Sequence, residues 1–337
     1  MKRQANLLEP ILALDNLILA FRKASHGKRH RPAVARFEFH LESELIALQD
    51  DIRQRRYRPG AFFAFRVHDP KPRDIHAAPF RDRVLHHAIC QIIEPALERR
   101  AIFDSYACRP GKGTHAAIQR AQQFARRHRF FAKADVRRFF PSIHHAVLKA
   151  LLARVFKDRA LLELLGCIID HAPSGAAPGR GLPIGNLTSQ HFANLYLGEL
   201  DHHLKDRLAV PGYLRYMDDM LLFADDKPTL HRQLAALRAF LDEPLRLQLK
   251  ESATVVAPVS EGIPFLGLRI FPRLLRLQRR TLNRCRRRLR ARERAYRAGR
   301  LELPALTASV ASIHAHLRGA DTRHLRQRLL DDSPVLV

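Results

Sequence analysis

The sequence predicts an α+β fold, and two observations support this class. Leu, Ile and Phe recur at helical spacing through much of the first 130 residues, whereas most short apolar runs bounded by turn residues lie between 130 and 271. These runs follow one another in antiparallel-looking sets and do not alternate regularly with helices. A doubly wound parallel sheet is therefore disfavoured.

The first elements are helices and one strand pair. Helical spacing at 5–22 and 38–54 flanks a basic loop, 25–32, that contains glycine and proline. Two short strands are predicted within 61–78 around the turn Asp69–Pro72, because proline breaks the pattern there. Further helices are predicted at 80–100 and 114–128.

The remaining elements are short strands and helices in mixed order. An apolar strand at 130–136 ends near an acid, and strands at 213–216 and 220–224 flank a pair of aspartates. Helical spacing recurs in the segments between them, and everything from Leu274 onward is predicted to be helical. The other predicted helices are 144–156, 158–171, 189–206 and 228–242, and the other predicted strands are 253–257 and 263–271.

The charge balance predicts a polyanionic partner. Lys and Arg number 59 against 33 Asp and Glu, which gives a net charge of +26 with neutral His. Such an excess repels itself unless a polyanion shares it, so nucleic acid is expected. An anionic membrane is the alternative, but no apolar run reaches the roughly 18 residues of a spanning helix, and no membrane partner is predicted. Four dispersed cysteines fit a reducing, cytoplasmic location.

One segment concentrates the positive charge. Residues 271–300 contain thirteen Arg and one Glu. A solvated helix face is the ordinary explanation of such a run. Twelve net charges in thirty residues exceed what solubility requires, so we predict a helix that faces phosphates. The predicted nucleic-acid-binding residues are Arg280, Arg284, Arg287 and Arg288.

Three acidic residues lie at the ends of predicted apolar strands, and their position there requires a physical explanation. Asp135 closes one strand, and Asp218 and Asp219 lie between two others. Carboxylates in apolar surroundings are costly unless cations compensate them. Converging at a sheet edge, these acids would suit a pair of Mg²⁺ ions that activate a hydroxyl and neutralise a transferring phosphoryl group. Taken alone, Asp218-Asp219 would favour a simple hairpin turn, because Asp is a common turn residue.

Six motifs in order resemble those of reverse transcriptases. Tyr216–Asp219 (YMDD) resembles the catalytic signature of that family, and Lys133–Ile143 (KADVRRFFPSI) resembles its first acidic motif. The resemblance extends from Arg58 to Phe271. The other four motifs, the first two typical of the bacterial, group II intron-like branch, are RDRVLHHA from Arg81, SYACRPG from Ser105, GLPIGNLTSQHFAN from Gly181 and GIPFLG from Gly262.

The resemblance implies a right-hand polymerase with an antiparallel palm sheet and a helical, basic thumb. The implied domains are an N-terminal helical extension (1–57), fingers (58–130), a palm (131–271, with a helical insertion at about 144–181) and an arginine-rich thumb (272–337). The implied reaction is RNA-templated addition of deoxynucleotides to a primer, with two Mg²⁺ ions as cofactors and Mn²⁺ as a substitute.

The family's site residues carry over to matching positions. Asp135, Asp218 and Asp219 would be catalytic, and Asp135 and Asp218 would hold both metal ions with Asp219 beside them and the Val136 carbonyl available to one ion. Phe140 would exclude a ribose 2′-hydroxyl, although a core phenylalanine is the alternative for one of Phe139 and Phe140. The other implied contacts are Lys71, Arg73, Ile184 and Gly185 with the nucleotide, and Phe265, Leu266 and Gly267 as the primer grip.

Two departures from the common family pattern are informative. Ile184-Gly185-Asn186 with Ser189-Gln190 (IGNxxSQ) resembles the form found in diversity-generating retroelement reverse transcriptases, which implies errors opposite template adenines. Ile184 stands where the common family pattern has a side-chain amide near the nucleotide. The loss of this polar contact would weaken discrimination against mispaired nucleotides by on the order of 1 kcal/mol. Where the family usually has lysine, this chain has Ala253, with Lys250 three residues earlier; whether Lys250 substitutes stays open.

The implied partners are a template RNA, a primer or cDNA, deoxynucleoside triphosphates and a small, basic, oligomeric accessory protein. Two alternatives stay open: a group II intron-like or defence-associated reverse transcriptase, and a non-catalytic RNA-binding scaffold on a polymerase fold. Retention of Asp135, Asp218 and Asp219 argues against the scaffold, because a pure binder gains nothing from buried acids that face phosphates.

Overall fold

Helices form the N-terminal part of the chain in the computed structural model, which describes residues 3–68, 72–173 and 175–331. The helix predicted at 5–22 is two helices broken at Ala13, and the segment before the predicted 38–54 helix forms one more, which Pro32 begins. These helices are α1 (Leu8–Leu12), α2 (Leu14–Ser25), α3 (Pro32–Phe39) and α4 (Leu41–Arg53).

An exposed antiparallel hairpin follows. Strands β1 (Phe63–Val67) and β2 (Arg73–Ala77) pair over their full length, with Val67 opposite Arg73. The long helix α5 (Phe80–Glu98) then packs against α2 and buries Val84, Leu85 and Ile89. The hairpin, in contrast, has only partly covered side chains, so it projects from the body of the protein.

A four-stranded antiparallel sheet forms the centre of the molecule. Its strand order is β4-β5-β3-β6, and each neighbouring pair is antiparallel. Alternate residues of β3 enter two different hydrophobic clusters, Phe131 in one and Ala132 and Ala134 in the other, so both faces are covered. The strands are β3 (Phe130–Asp135), β4 (Gly212–Tyr216), β5 (Asp219–Ala224) and β6 (Val255–Pro258).

Helices cover this sheet and complete the core. Asp158 begins α9 by accepting the backbone N–H of Leu161, and it also accepts the N–H groups of Leu7 and Leu8, which ties the N-terminus to this helix. A π-helical turn, His203–Arg207, extends α10. The helices are α6 (Thr114–Arg127), α7 (Phe139–Ser142), α8 (His145–Val155), α9 (Arg159–Asp170), α10 (Leu187–His202) and α11 (Lys227–Asp242).

Two predictions for the C-terminal part are wrong. The segment 263–271 is two strands, because Leu266 (φ 46°) and Gly267 (φ 84°) form a turn within it. The segment from Leu274 is not entirely helical, because Leu275 and Leu277 alternate with Arg276 and pair with the preceding strand. The elements are β7 (Ile263–Phe265), β8 (Leu268–Ile270), β9 (Leu275–Leu277), α12 (Arg279–Arg297), α13 (Leu303–Arg318) and α14 (Arg323–Asp331).

The sheet β7-β8-β9 spans the boundary placed between palm and thumb after residue 271. The domain boundaries therefore stay predictions. In the part of the chain that the structure describes, no helix combines the length and apolarity needed to cross a membrane.

Candidate active site

The central sheet brings the three predicted aspartates to one edge. Asp135 ends β3 and lies directly opposite Asp219, the first residue of β5. Tyr216 is also opposite Asp219, so Met217 and Asp218 form a two-residue turn between β4 and β5. Met217 has a left-handed φ of 54°, which is unfavourable for a side chain of this kind and must be stabilised by its surroundings.

A buried arginine stabilises this turn. Arg215 is 1% exposed, and its Nη1 donates to the carbonyl of Met217 at 3.0 Å. Its Nε and Nη2 donate to the two carboxylate oxygens of Asp201 at 2.8 and 2.6 Å. Asp201, on α10, also accepts the hydroxyl of Tyr213 at 2.7 Å. Because Asp201 fixes the guanidinium through two hydrogen bonds, the Met217 carbonyl that the guanidinium contacts is fixed as well.

Further contacts of Arg215 link the turn to distant parts of the chain. Its guanidinium donates to the side-chain oxygens of Asn194 and Ser105, each at 3.1 Å. Sequence reasoning missed this network. The available signal was a charged residue, Arg215, in the middle of an otherwise apolar strand, which requires a buried acid as partner.

Burial and neighbouring charges both act on the Asp218 carboxyl. Burial and the neighbouring charge of Asp135 raise the pKa of the Asp218 carboxyl to about 6, with a smaller effect of Asp219 in the same direction. Arg73 acts in the opposite direction on the same carboxyl, which places its charge near Asp218. Asp219 is paired with Lys133, whose Nζ lies 3.0 Å from the carboxylate. Asp135 and Asp218 are therefore the electrostatically coupled pair, with Asp219 beside them.

The donor atoms at this edge fit a hard divalent cation in part. Two neighbouring ionised carboxylates repel each other, and a bound divalent cation would relieve this repulsion. Hydrogen bonds from Lys250 N to Asp135 O and from Arg137 N to Gln248 O flank Val136, and neither uses the Val136 carbonyl. Within the described ranges, no group of three or more His, Cys, Asp or Glu side chains is arranged to hold a metal ion. The metal site stays a prediction that rests on Asp135 and Asp218.

The IGN loop packs against the hairpin strand that carries Arg73. The Ile184 carbonyl accepts the N–H of His76 at 3.1 Å, and the Asn186 side chain accepts the N–H of Ala78 at 3.2 Å. A side chain at Gly185 would come within 2.9 Å of Ile75 Cγ2, and its φ of 115° also favours glycine. The loop and the strand that carries Arg73 are therefore held together. Lys71 lies outside the described residues.

The two adjacent phenylalanines have different environments. Phe139 is 2% exposed and belongs to the core, whereas Phe140 is half-buried. The Phe140 carbonyl accepts the N–H of Leu182 at 2.9 Å, which connects α7 to the start of the IGN loop. Phe140 is thus the ring that could meet a ligand, although its role as a sugar contact stays a prediction.

The predicted primer grip forms the turn between β7 and β8. Phe265 is fully buried, so its side chain cannot contact a primer, whereas Leu266 and Gly267 form the turn itself. The Gly267 carbonyl accepts both Gln278 N and Thr281 Oγ1, each at 3.1 Å. These bonds attach the turn to the beginning of α12. Lys133 Nζ also donates to the carbonyl of Pro264, which connects this hairpin to the aspartate site.

The arginine-rich helix lines a large groove. Thr281, Cys285 and Leu289 form its buried face at four-residue spacing, so the arginines between them are left on the other faces. A groove of about 900 Å³ lies along them and reaches His68 of the β1–β2 hairpin. Its walls include all four predicted residues, Arg280, Arg284, Arg287 and Arg288.

Comparison with known proteins identifies the family. The model of the family described as reverse transcriptase (RNA-dependent DNA polymerase) matches residues 68–270, more than half of the chain. The chain belongs to this family. The predicted enzyme class, a nucleotidyltransferase of the reverse transcriptase type, is confirmed by this membership.

Relatives agree with the match. The chain is 26% identical over 275 residues to Protein YkfC of Escherichia coli, which covers 68% of this chain and 72% of that protein. It is 27% identical over 140 residues to the group II intron-encoded protein LtrA of Lactococcus lactis, covering 39% of this chain and 22% of LtrA. The chain therefore has distant similarity to group II intron proteins and spans only a small part of LtrA.

A solved structure shows the same fold. The structure of apo telomerase from Candida tropicalis matches with a TM-score of 0.50 and 12% identity, over 65% of this chain and 49% of that one. Together with the antiparallel sheets, this likeness confirms the predicted α+β polymerase fold. The chain spans about half of the telomerase chain.

Proposed function

We propose that this chain transfers deoxynucleotides from their triphosphates to a primer 3′-end opposite an RNA template. The supporting observation is the coupling of the Asp135 and Asp218 carboxylates beside Arg73, in a chain of the reverse transcriptase family. In each cycle the primer O3′ forms a bond to the α-phosphorus, and the bond from that phosphorus to pyrophosphate breaks.

In this proposal Asp135, Asp218 and the Val136 carbonyl hold two Mg²⁺ ions, with Mn²⁺ as a substitute. When bound, the ions supply activation of the 3′-hydroxyl and neutralisation of the phosphoryl charge. Arg73 binds phosphate oxygens of the incoming triphosphate, since a guanidinium matches them geometrically. Phe140 contacts the sugar and excludes ribonucleotides, and the backbone of Leu266 and Gly267 supports the primer end.

Primer extension tests this proposal. We expect the protein to extend a DNA primer on an RNA template with deoxynucleotides and Mg²⁺, and to make a product of template length. Asp218→Asn should abolish extension, whereas Asp242→Asn should not, because Asp242 is an exposed residue at the end of α11 with no ion pair within the described ranges. Failure of the unaltered protein to extend the primer, or full activity of Asp218→Asn, would refute it.

We further propose that the enzyme is the error-prone reverse transcriptase of a diversity-generating retroelement. The Ile184-Gly185-Asn186 sequence supports this subtype, and its loop is bonded to the strand that carries Arg73. A β-branched apolar side chain there leaves the nucleotide with one fewer polar contact to enforce correct pairing. The distant similarity to LtrA instead favours a group II intron-like role, so the subtype requires a direct test.

Misincorporation by Ile184→Gln provides that test. We expect the restored amide to reduce errors opposite template adenine by about fivefold, because one hydrogen bond contributes about 1 kcal/mol of discrimination. Errors at the other three template bases should change much less. An Ile184→Leu variant, which keeps an apolar side chain, is the control. Equal adenine errors in the Gln and Leu variants would remove Ile184 from the account.

A template RNA and a small, basic, oligomeric accessory protein complete the proposal. The charge of +26 supports RNA as a partner, since the phosphates would neutralise it. The four free cysteines support a reducing, cytoplasmic location. Copurification of the chain from its host should recover one RNA and one small protein.

A further inference from the structure

A second basic cavity lies apart from the aspartate site. Its volume is about 350 Å³, and it is formed by residues of α8, α10 and α11 and by the residues after α5. The π-helical turn His203–Arg207 on its wall is bonded to the segment that leads into β4, since Val210 N donates to the Leu204 carbonyl at 2.9 Å and β4 begins two residues later. Asp218 follows the other end of β4, a strand of five residues and roughly 16 Å.

Cations dominate the wall of this cavity. Arg99 and Arg100 follow α5, and Arg207 ends the π-helical turn. Within the described ranges, none of these three side chains forms an ion pair with a carboxylate. The acid on the wall, Glu199, is already paired with Arg154 at 2.7 Å. The carbonyl ends of α5 and α10 offset part of the positive charge, yet they supply only partial charges.

Convergence distinguishes these arginines from the others on the surface. A chain with a charge of +26 must carry many unpaired cations, so an unpaired arginine alone indicates little. Here several share one concavity, where their mutual repulsion is largest. The turn that places Arg207 is π-helical, a rare conformation that often marks functional positions. Beside it, the rings of His203 and Phe240 stack with centroids 4.3 Å apart.

We propose that this cavity binds backbone phosphates of an RNA segment outside the copied stretch. Guanidinium groups match phosphate oxygens in pairs, and the half-buried His203–Phe240 stack offers a ring face on which a base can stack. Because the cavity is separate from the aspartates, the bound segment is not the one at the primer end. The choice of RNA as the polyanion rests on the proposed function.

Two charge-matched double variants test this inference. Arg99→Ser/Arg207→Ser removes two exposed arginines from the cavity, and Arg22→Ser/Arg36→Ser removes two exposed arginines from the N-terminal helices. The probes are two labelled RNA templates annealed to one DNA primer, and only one of them carries a hairpin beyond the copied stretch. Binding is measured by fluorescence anisotropy without nucleotides, over a series of salt concentrations.

The hairpin should increase affinity for the unaltered protein and for the control variant by about tenfold, and the cavity variant should lose this gain. With the hairpin template, the slope of log affinity against log salt concentration should be less steep for the cavity variant than for the control. The difference should correspond to about two phosphate contacts. Both variants should bind the short template equally.

Retention of the hairpin gain by the cavity variant would overturn the inference. This is the result expected if the cavity instead binds a free nucleotide or an acidic protein. Absence of any gain for the unaltered protein would overturn it equally. Because no chemistry is measured, a protein that failed to extend primers would refute the proposed function and leave this result valid.

Discussion

The conformation of the turn that carries Asp218 depends on a single buried side chain. Arg215 connects Met217, Asp201, Asn194 and Ser105, and the left-handed Met217 has its carbonyl fixed by that guanidinium. The planar guanidinium of an arginine donates hydrogen bonds to several acceptors at once, whereas a lysine has one flexible ammonium group. Position 215 thus requires the geometry of arginine as well as its charge.

We predict that Arg215→Lys lowers kcat for nucleotide addition by about 10- to 100-fold and changes KM by much less. The charge that compensates Asp201 is kept, but the bond to the Met217 carbonyl is lost, so Asp218 is no longer held in place. The measurement is steady-state primer extension with a thermal melt of the same sample. Arg120→Lys is the matched control, because Arg120 pairs with the buried Asp104 on both oxygens and does not contact the turn.

Equal kcat values for the Arg215 and Arg120 variants would show that Arg215 serves stability alone. A loss of folding in Arg215→Lys only would also be visible in the melt.

The raised pKa of Asp218 makes a stability prediction. Its folded-state pKa of about 6 exceeds the ordinary 3.8, so the folded chain holds this proton more tightly than the unfolded chain does. The contribution of the group to the free energy of unfolding is therefore greatest below pH 3.8 and declines as the pH rises to about 6. In a chelating buffer above pH 6, Asp218→Asn should be more stable than the unaltered protein by about 3 kcal/mol.

Urea unfolding at several pH values measures this difference, with Asp242→Asn as the control. The stabilisation should disappear toward pH 4, where the wild-type carboxyl is protonated in the folded state. A stability gain that is independent of pH, or no gain at all, would contradict the assigned burial and coupling.

The elements most easily predicted are those with strong periodicity. Helices α5, α6 and α11 and strands β3, β4 and β5 lie within two residues of their predicted bounds, because their apolar residues follow one period throughout. The short strand β9 was missed, since three residues beside an arginine-rich helix give no period of their own. Its pairing with β8 is a tertiary contact that local pattern does not encode.

The arginine helix α12 supports an element-scale prediction. Arg287→Ser/Arg288→Ser should weaken binding of a short template–primer about tenfold at moderate salt. The slope of log affinity against log salt concentration should also become less steep, by an amount that corresponds to about two phosphate contacts. Both residues lie on the wall of the groove that reaches the β1–β2 hairpin. Anisotropy over a salt series measures the effect. The Arg22→Ser/Arg36→Ser protein has the same net charge, so equal weakening in both would assign the effect to total charge instead of to α12.

At the scale of the whole molecule, the fold gathers motifs that are far apart in sequence. Asp135 and Asp218 lie at one edge of the central sheet, Arg73 affects the charge of Asp218, and the Ile184–Asn186 loop is bonded to the strand that carries Arg73. Sequence motifs could predict which residues belong to the site, because each motif is local. The Arg215–Asp201 network and the cavity near Arg207 could not be predicted in this way, since both depend on how α10 packs against its neighbours.

We propose that Asp135 and Asp218 act together in RNA-templated DNA synthesis. Single-turnover addition of one deoxynucleotide, measured with template–primer affinity on the same samples, separates chemistry from binding. We predict that Asp135→Asn and Asp218→Asn each reduce the addition rate by more than about 1,000-fold while leaving affinity within about twofold. Addition rates within tenfold of the unaltered protein in either variant would contradict the account.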